Sequence, residues 1–423
     1  MTRCVFKSVA VVFALFCATA PFSPAWAQAS TVTGGDSASP NNGIKFGAGR
    51  LHFFADLALH FDSAAGFFAP SGTSALSPEL IVHARPGLRL DVPMSWMDLS
   101  LGGFIDYLWY TGAVTPGSTT ASRLQAGADF KVAFNQNGAV EVQIADTFTR
   151  SDRTRNPGIG VGVLSLFNEV SLAVPIHPGG RALEVTPSAA YGIELFSPIS
   201  TFSVPGCSDI SCDPLQVDAG AFNYQNIKAS LGARWKFLPK TALLFDTSYD
   251  GRSYFTAGVT PPAHLFRVMA GLSGLITSKI SATVRAGWGR DFSTSGGASF
   301  LAHAEVAWLP TQTSALKLGY QRDIMPVPVY GTLRTDRPYF DGRILLGGAF
   351  SVRGYVGYDW MSFFNLSDRV DHGLTVDVGP EYQVTSWFVA AVGYVLNTRT
   401  STLPAASFNF TRHEVYVRAS FVY

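Results

Sequence analysis

Side chains along residues 49–63, GRLHFFADLALHFDS, alternate in character. Leu51, Phe53, Ala55, Leu57, Leu59 and Phe61 form an apolar row; His52, Phe54, Asp56, Ala58, His60 and Asp62 form a wetter one. A period of two predicts a β-strand with one greasy and one polar face. The same dyad returns in ELIVHARPGLRLDV, with Leu80, Val82, Ala84, Leu88, Leu90 and Val92 in phase, and in SRLQAGADFKVAF, with Leu124, Ala126, Ala128, Phe130, Val132 and Phe134. NIKASLGARWKF and the final HEVYVRASFVY repeat it.

Two kinds of punctuation separate these segments. Short turns are predicted at VPMSWM, NQNGA, IHPGGRA, FLPKT, ITSK, LPTQTSA, LLGGAF and VTSW. Longer polar loops alternate with them near residues 63–77, 112–120, 151–161, 197–222, 251–263, 291–299, 323–338, 361–373 and 398–410. The alternation predicts about 18 antiparallel strands spanning 44–423, with both ends of the set on the short-turn side. The class is all-β: a single-chain transmembrane antiparallel β-barrel with short periplasmic turns and longer extracellular loops. Closure is required because hydrocarbon offers no hydrogen-bond partner to an open sheet edge.

Aromatic placement supports this reading. Trp96, Phe134, Trp235, Phe237, Trp308, Trp387 and Phe388 lie beside short turns, where an interfacial girdle belongs. Tyr423, with apolar residues at every second position before it, resembles the C-terminal signal of bacterial barrels. Some residues break the pattern. Pro86, Pro187 and Pro380 fall inside strands, so bulges or register shifts are expected there. Asp146 falls on the apolar phase of VEVQIADTF, and a bulge near Ala145 is expected to turn it inward.

Composition narrows the class further. Charged residues are 14% of the chain and the formal net charge is +1, which gives no electrostatic footprint for nucleic acid. Residues 1–27 read as a secretory signal peptide, with basic Arg3 and Lys7, an apolar stretch, and Ala25-Trp26-Ala27 as the cleavage site. Residues 28–43 are expected to be a disordered lead, and the mature protein to reside in the outer membrane of a Gram-negative bacterium. No later stretch is long and apolar enough for a spanning helix. Cys207 and Cys212 sit in PGCSDISCDP; a local disulfide is expected in an oxidising compartment, with two reduced thiols as the alternative.

The polar phase is expected to line the lumen. Its candidates are His52, Asp56, His60, Arg85, Arg89, Asp106, Arg123, Asp129, Lys131, Glu184, Lys228, Arg234, Asp246, Arg267, Arg285, Arg353, Asp359, Asp377, Glu381 and Arg418. Both signs are present, so the wall suits neutral or variably charged solutes better than one ion type. Barrels of 16 to 18 strands leave an aqueous channel. Inner-phase glycines, among them Gly127, Gly319 and Gly393, are expected to serve sheet curvature. No catalytic, metal or cofactor spacing is present: the eight histidines stand in no GxSxG, HExxH or Cys-His context. The expectation is a non-enzyme with no cofactor, whose surroundings include outer-membrane lipid. There is no room ahead of the barrel for a plug domain, so energy-coupled uptake is not expected.

The run LHFFADLALHFDSAAGFFAPSG, followed by SPELIVHARPGLRLDVP and LSLGGFIDYLWYTG, resembles the opening of the β-barrel porin 2 family. Phe61-Asp62 and Arg85-Pro86-Gly87 carry the likeness. Members of that family are similar to 18-stranded outer-membrane polysaccharide exporters of myxobacterial exopolysaccharide pathways. The resemblance implies a polysaccharide chain in transit and a periplasmic polysaccharide-export protein as partner. The competing functions are a diffusion porin for small solutes and a surface structural barrel without transport.

Overall fold

The computed structural model describes residues 43–65, 78–114, 122–136, 138–152, 163–198, 219–258, 260–293, 296–311, 313–327, 331–364, 369–402 and 409–423. Cys207 and Cys212, the signal sequence and residues 28–42 of the lead lie outside these. A short strand β1 (Ile44–Phe46) folds back on the start of β2 (Gly49–Asp62). There follow β3 (Glu79–Pro93), β4 (Met97–Tyr110), β5 (Arg123–Phe134), β6 (Val142–Ser151), β7 (Val163–Ala173), β8 (Leu183–Pro198), β9 (Tyr224–Leu238) and β10 (Thr241–Tyr254). Next come β11 (Ala263–Leu275), β12 (Ile280–Asp291), β13 (Ala298–Thr311), β14 (Ser314–Val327), β15 (Gly331–Leu346), β16 (Phe350–Phe363), β17 (Val370–Thr385), β18 (Phe388–Ser401) and β19 (Phe410–Val422).

Each strand from β2 onward pairs antiparallel with the next, and β19 pairs back onto β2, from Glu414↔Asp62 to Val422↔Phe54. The result is a closed 18-stranded barrel. All eight predicted short turns join strands at one end. Tight pairing follows where the apolar phase faces out: Leu57, Ile105, Ile227, Val284, Leu318 and Val417 are all exposed large apolar residues in mid-strand. A soluble sheet would bury them; here the apolar belt is the membrane-facing surface. The expected girdle is also present: Trp96 stacks on Phe134 at 6.0 Å, and Phe388 stacks on Phe421 at 5.0 Å beside Trp387.

Three expectations are corrected. First, Pro86, Pro187 and Pro380 shift no register. The β3–β4 ladder passes from Ala84↔Tyr107 to Gly87↔Phe104 in unchanged register, and the β17–β18 ladder from Val378↔Tyr394 to Glu381↔Ala391. In an antiparallel sheet a residue directs its N–H and C=O to the same neighbour, so a proline weakens one ladder and leaves the other whole. Ala55↔Pro86 and Val352↔Pro380 are accordingly intact, and the Pro187 carbonyl still accepts from the Val174 amide at 3.0 Å. Register shifts occur beside short turns instead, at Thr241/Leu243, Trp308/Thr311 and Gln383/Thr385.

Second, there is no bulge at Ala145. Both ladders of β6 run without interruption, and Asp146 stays on the outer face opposite Phe130 and Val170. Third, the loop expected over 323–338 is mostly strand: β14 continues to Val327 and β15 begins at Gly331. Polar residues there read as loop, yet Arg322, Asp336 and Tyr320 satisfy one another on the sheet surface, which removes the penalty for extending the hairpin.

Candidate functional site: the barrel lumen

Alternation places every predicted lumen residue on the inner face, because ladder partners share a side. Most are paired there. His60 Nδ1 meets Glu414 at 2.6 Å, Arg85 and His83 converge on Asp106, and Arg123 approaches Asp152 at 3.4 Å. Arg89 binds Asp91, Glu184 faces His177, Lys228 binds Glu169, and Arg285 binds Asp246 at 3.1 Å. Arg337 holds Asp359, while Arg418 reaches Glu381 at 2.9 Å and Arg353 donates to the Tyr416 hydroxyl. Asp129 and Lys131 remain exposed, Arg234 is half-buried, and Asp377 borders a cavity with Arg353 and Arg418. Cross-strand pairing therefore cancels most of the wall's charge locally.

Asp56 is different. It is 5% exposed, and among the described residues neither carboxylate oxygen has a hydrogen-bond partner, nor does the Oγ of its ladder neighbour Ser420. His52 Nδ1 is likewise unpartnered. Asp56 lines the same cavity as His60, His83, Arg85, Asp106 and Tyr416, a space bounded by β2–β7 on one side and by β16–β19 on the other.

The two ends of the bore contrast. Toward the short turns, the inward charges Asp129, Lys131, Lys236, Asp341 and Arg343 are exposed. At the loop end the ionic residues are sealed: Asp62 is 1% exposed, Glu194 and Asp371 are 0%, and Arg369 is 1%. They survive burial because each is bonded. Asp371 accepts from Arg369 at 2.8 Å and Arg399 at 2.6 Å, and Asp62 accepts from Arg412 at 2.8 Å.

Sequence reasoning missed an element of the described residues that narrows the outer mouth. The β13–β14 ladder begins at Ala302↔Arg322, so the last turnward-to-loopward stretch of β14, Asp323–Val327, parts from β13. It lies instead against the inner wall. Ile324 packs with Leu265, Met269 and Leu301 from β11 and β13. Arg267 donates to the Ile324 carbonyl at 2.7 Å and pairs with Asp323 at 3.3 Å, and Arg252 donates to the Pro326 carbonyl at 3.0 Å. Gly289 permits the approach, since a Cβ there would stand 2.7 Å from Ile324 Cδ1. A second cluster, Val327, Leu333, Met361 and Phe363, fills the space beside it, and Thr332 bonds Asp291 at 2.7 Å. The only sequence signal was an apolar IMPV run inside a polar stretch.

Several glycines of the inner phase make room for aromatic rings. A Cβ on Gly127, Gly319 or Gly393 would clash with a ring carbon of Phe104, Tyr339 or Tyr416 on the adjacent strand. The rings occupy the room the glycines leave.

This arrangement matches known barrels in shape. The FrpB iron transporter from Neisseria meningitidis, F5-1 variant in its apoprotein form, superposes with a TM-score of 0.51 at 8% identity, covering 88% of this chain and 66% of that one. The likeness is one of fold. The F3-3 variant of the same transporter gives 0.47 at 9% identity over 87% of this chain and 66% of its own, so the chain spans just under two thirds of the transporter's length. The siderophore receptor PirA from Pseudomonas aeruginosa gives 0.46 at 8% identity, with 89% and 81% covered. No protein-family model matches the chain, and no curated protein matches it.

Proposed function

We propose that the protein is a gated outer-membrane conduit through which a secreted polysaccharide leaves the cell. One observation carries the reading: the bore is accessible at its short-turn end and narrowed at its loop end by the inward-lying β14–β15 hairpin. A diffusion porin needs a standing opening at both ends; an exporter needs one that opens on demand. The wall suits a hydroxylated polymer, because its charges are largely paired with each other and its aromatic rings lie among them. Direction would come from the cell side, through a periplasmic polysaccharide-export protein delivering the chain to the exposed end.

Two measurements test this. Proteoliposomes containing the purified barrel should swell little with small sugars, whereas a diffusion porin swells them quickly. Deleting the gene should abolish one surface polysaccharide, and normal surface polysaccharide in the deletion strain refutes the reading.

A further inference from the structure

Several polar pairs lie on the outward face, among them Tyr191 with Gln225, Tyr249 with His264, and Arg322 with Asp336, and a further pair joins two short side chains that no transport role uses. Asp146 on β6 and Asn168 on β7 both point outward, and the Asn168 amide donates to Asp146 Oδ1 at 2.7 Å. Val142, four residues toward the turns, stands opposite the girdle residue Phe134. With a rise of about 3.4 Å per residue and a strand tilt near 40°, Asp146 sits about 10 Å inside the apolar band. A carboxylate there is costly unless something supplies its missing bonds.

The pair is incompletely satisfied among the described residues. Asp146 Oδ2 has no donor, and the second Asn168 N–H finds only the Thr147 carbonyl at 3.5 Å, too far to count as a full bond. Each barrel therefore presents one spare acceptor and one weakly engaged donor, side by side. Such a set is complementary to itself: under a two-fold axis, Asn168 of each copy can donate to Asp146 of the other. The surroundings allow the approach. On the outer row that holds Asn168, Phe148 is followed by two small residues, Ala128 and Gly103, which leave room beside the pair on that row, while the row that holds Asp146 carries Phe130, Leu101 and Val170. β6 and β7, with 10 and 11 residues, are also the shortest barrel strands.

We infer that the outer face of β5–β7 is a homodimer interface, in which the Asp146–Asn168 pairs of two copies of this chain bond reciprocally within the membrane. The occupant is a second barrel rather than lipid, because acyl chains offer neither donor nor acceptor, and the half-buried, outward-facing groups match their own symmetry mate.

Oxidative cross-linking in native outer membranes tests it, using the full chain with Cys207 and Cys212 replaced by serine. A Val170→Cys barrel, carrying the thiol opposite Asp146, should form a covalent dimer. Val356→Cys, on the outer face of β16 across the barrel, should not. Adding Asp146→Leu and Asn168→Leu to Val170→Cys should abolish the dimer while the heat-dependent gel mobility of a folded barrel persists. A lack of dimer from Val170→Cys, a cross-link to a different protein, equal cross-linking at Val356→Cys, or a dimer that survives loss of the pair each overturns the inference. Should the triple variant fail to fold, the contrast between the two single-cysteine barrels still decides it.

Discussion

Truncating Ile324 should open the barrel. The side chain is 1% exposed and fills a pocket made by Leu265, Met269 and Leu301, and no other apolar group of Asp323–Val327 reaches that pocket. Burial losses for Ile→Ala in a packed core run about 2–5 kcal/mol. The low end applies, because Arg267 and Arg252 keep their bonds to the Ile324 and Pro326 carbonyls. A loss of about 2 kcal/mol raises the undocked-to-docked ratio about 30-fold, at roughly 1.4 kcal/mol per factor of ten. Single-channel recording in planar bilayers reads that ratio directly as the fraction of time spent conducting. Ile324→Ala should lengthen the conducting fraction, and adding Arg267→Ala should lengthen it further. A folded Ile324→Ala barrel whose record matches the parent would remove the hairpin as the closing element and, with it, the main support for a gated conduit.

Other parts of the wall yield separate expectations. Asp371→Ala leaves Arg369 and Arg399 buried without their carboxylate, which should cost about 3–5 kcal/mol and lower the thermal unfolding midpoint in detergent; a loss below about 1 kcal/mol contradicts the assigned pairing. Gly393→Ala places a methyl 2.2 Å from Tyr416 Cζ and should cost about 1–3 kcal/mol, whereas Gly354→Ala, with nothing within 4 Å, should be tolerated; equal midpoints for the two refute the ring-over-glycine packing. Asp56→Asn should stabilise the barrel by about 1 kcal/mol, because a buried carboxylate without a donor is exchanged for a neutral group; a lowered midpoint shows that Asp56 is held by a bound partner in solution.

Strand number, the inward phase and the position of every short turn were legible in the sequence because each depends on local alternation. His52 to Asp62 read correctly since neighbouring residues of a strand must face opposite ways whatever surrounds them. The outer closure was not legible. Ile324 packs on Leu265 and Leu301, contacts set by how three strands diverge at their ends, and no periodicity encodes that divergence. Asp146 misled for the opposite reason: the pattern was right, and the assumption that a carboxylate must face water was what failed. The paired charges were visible only as a mixture of signs, because the choice of partner depends on cross-strand register.

The prolines have an effect beyond the register they preserve. Pro86, Pro187, Pro338 and Pro380 interrupt the β3–β4, β7–β8, β15–β16 and β17–β18 seams respectively. All four seams join strands tied by a short turn, and none joins strands tied by a long connection. A breach between tethered neighbours heals quickly, since a small loop costs little entropy to close. Deuterium uptake should accordingly enter the barrel as four separate leaks that reseal, while the seams under the long loops stay dark.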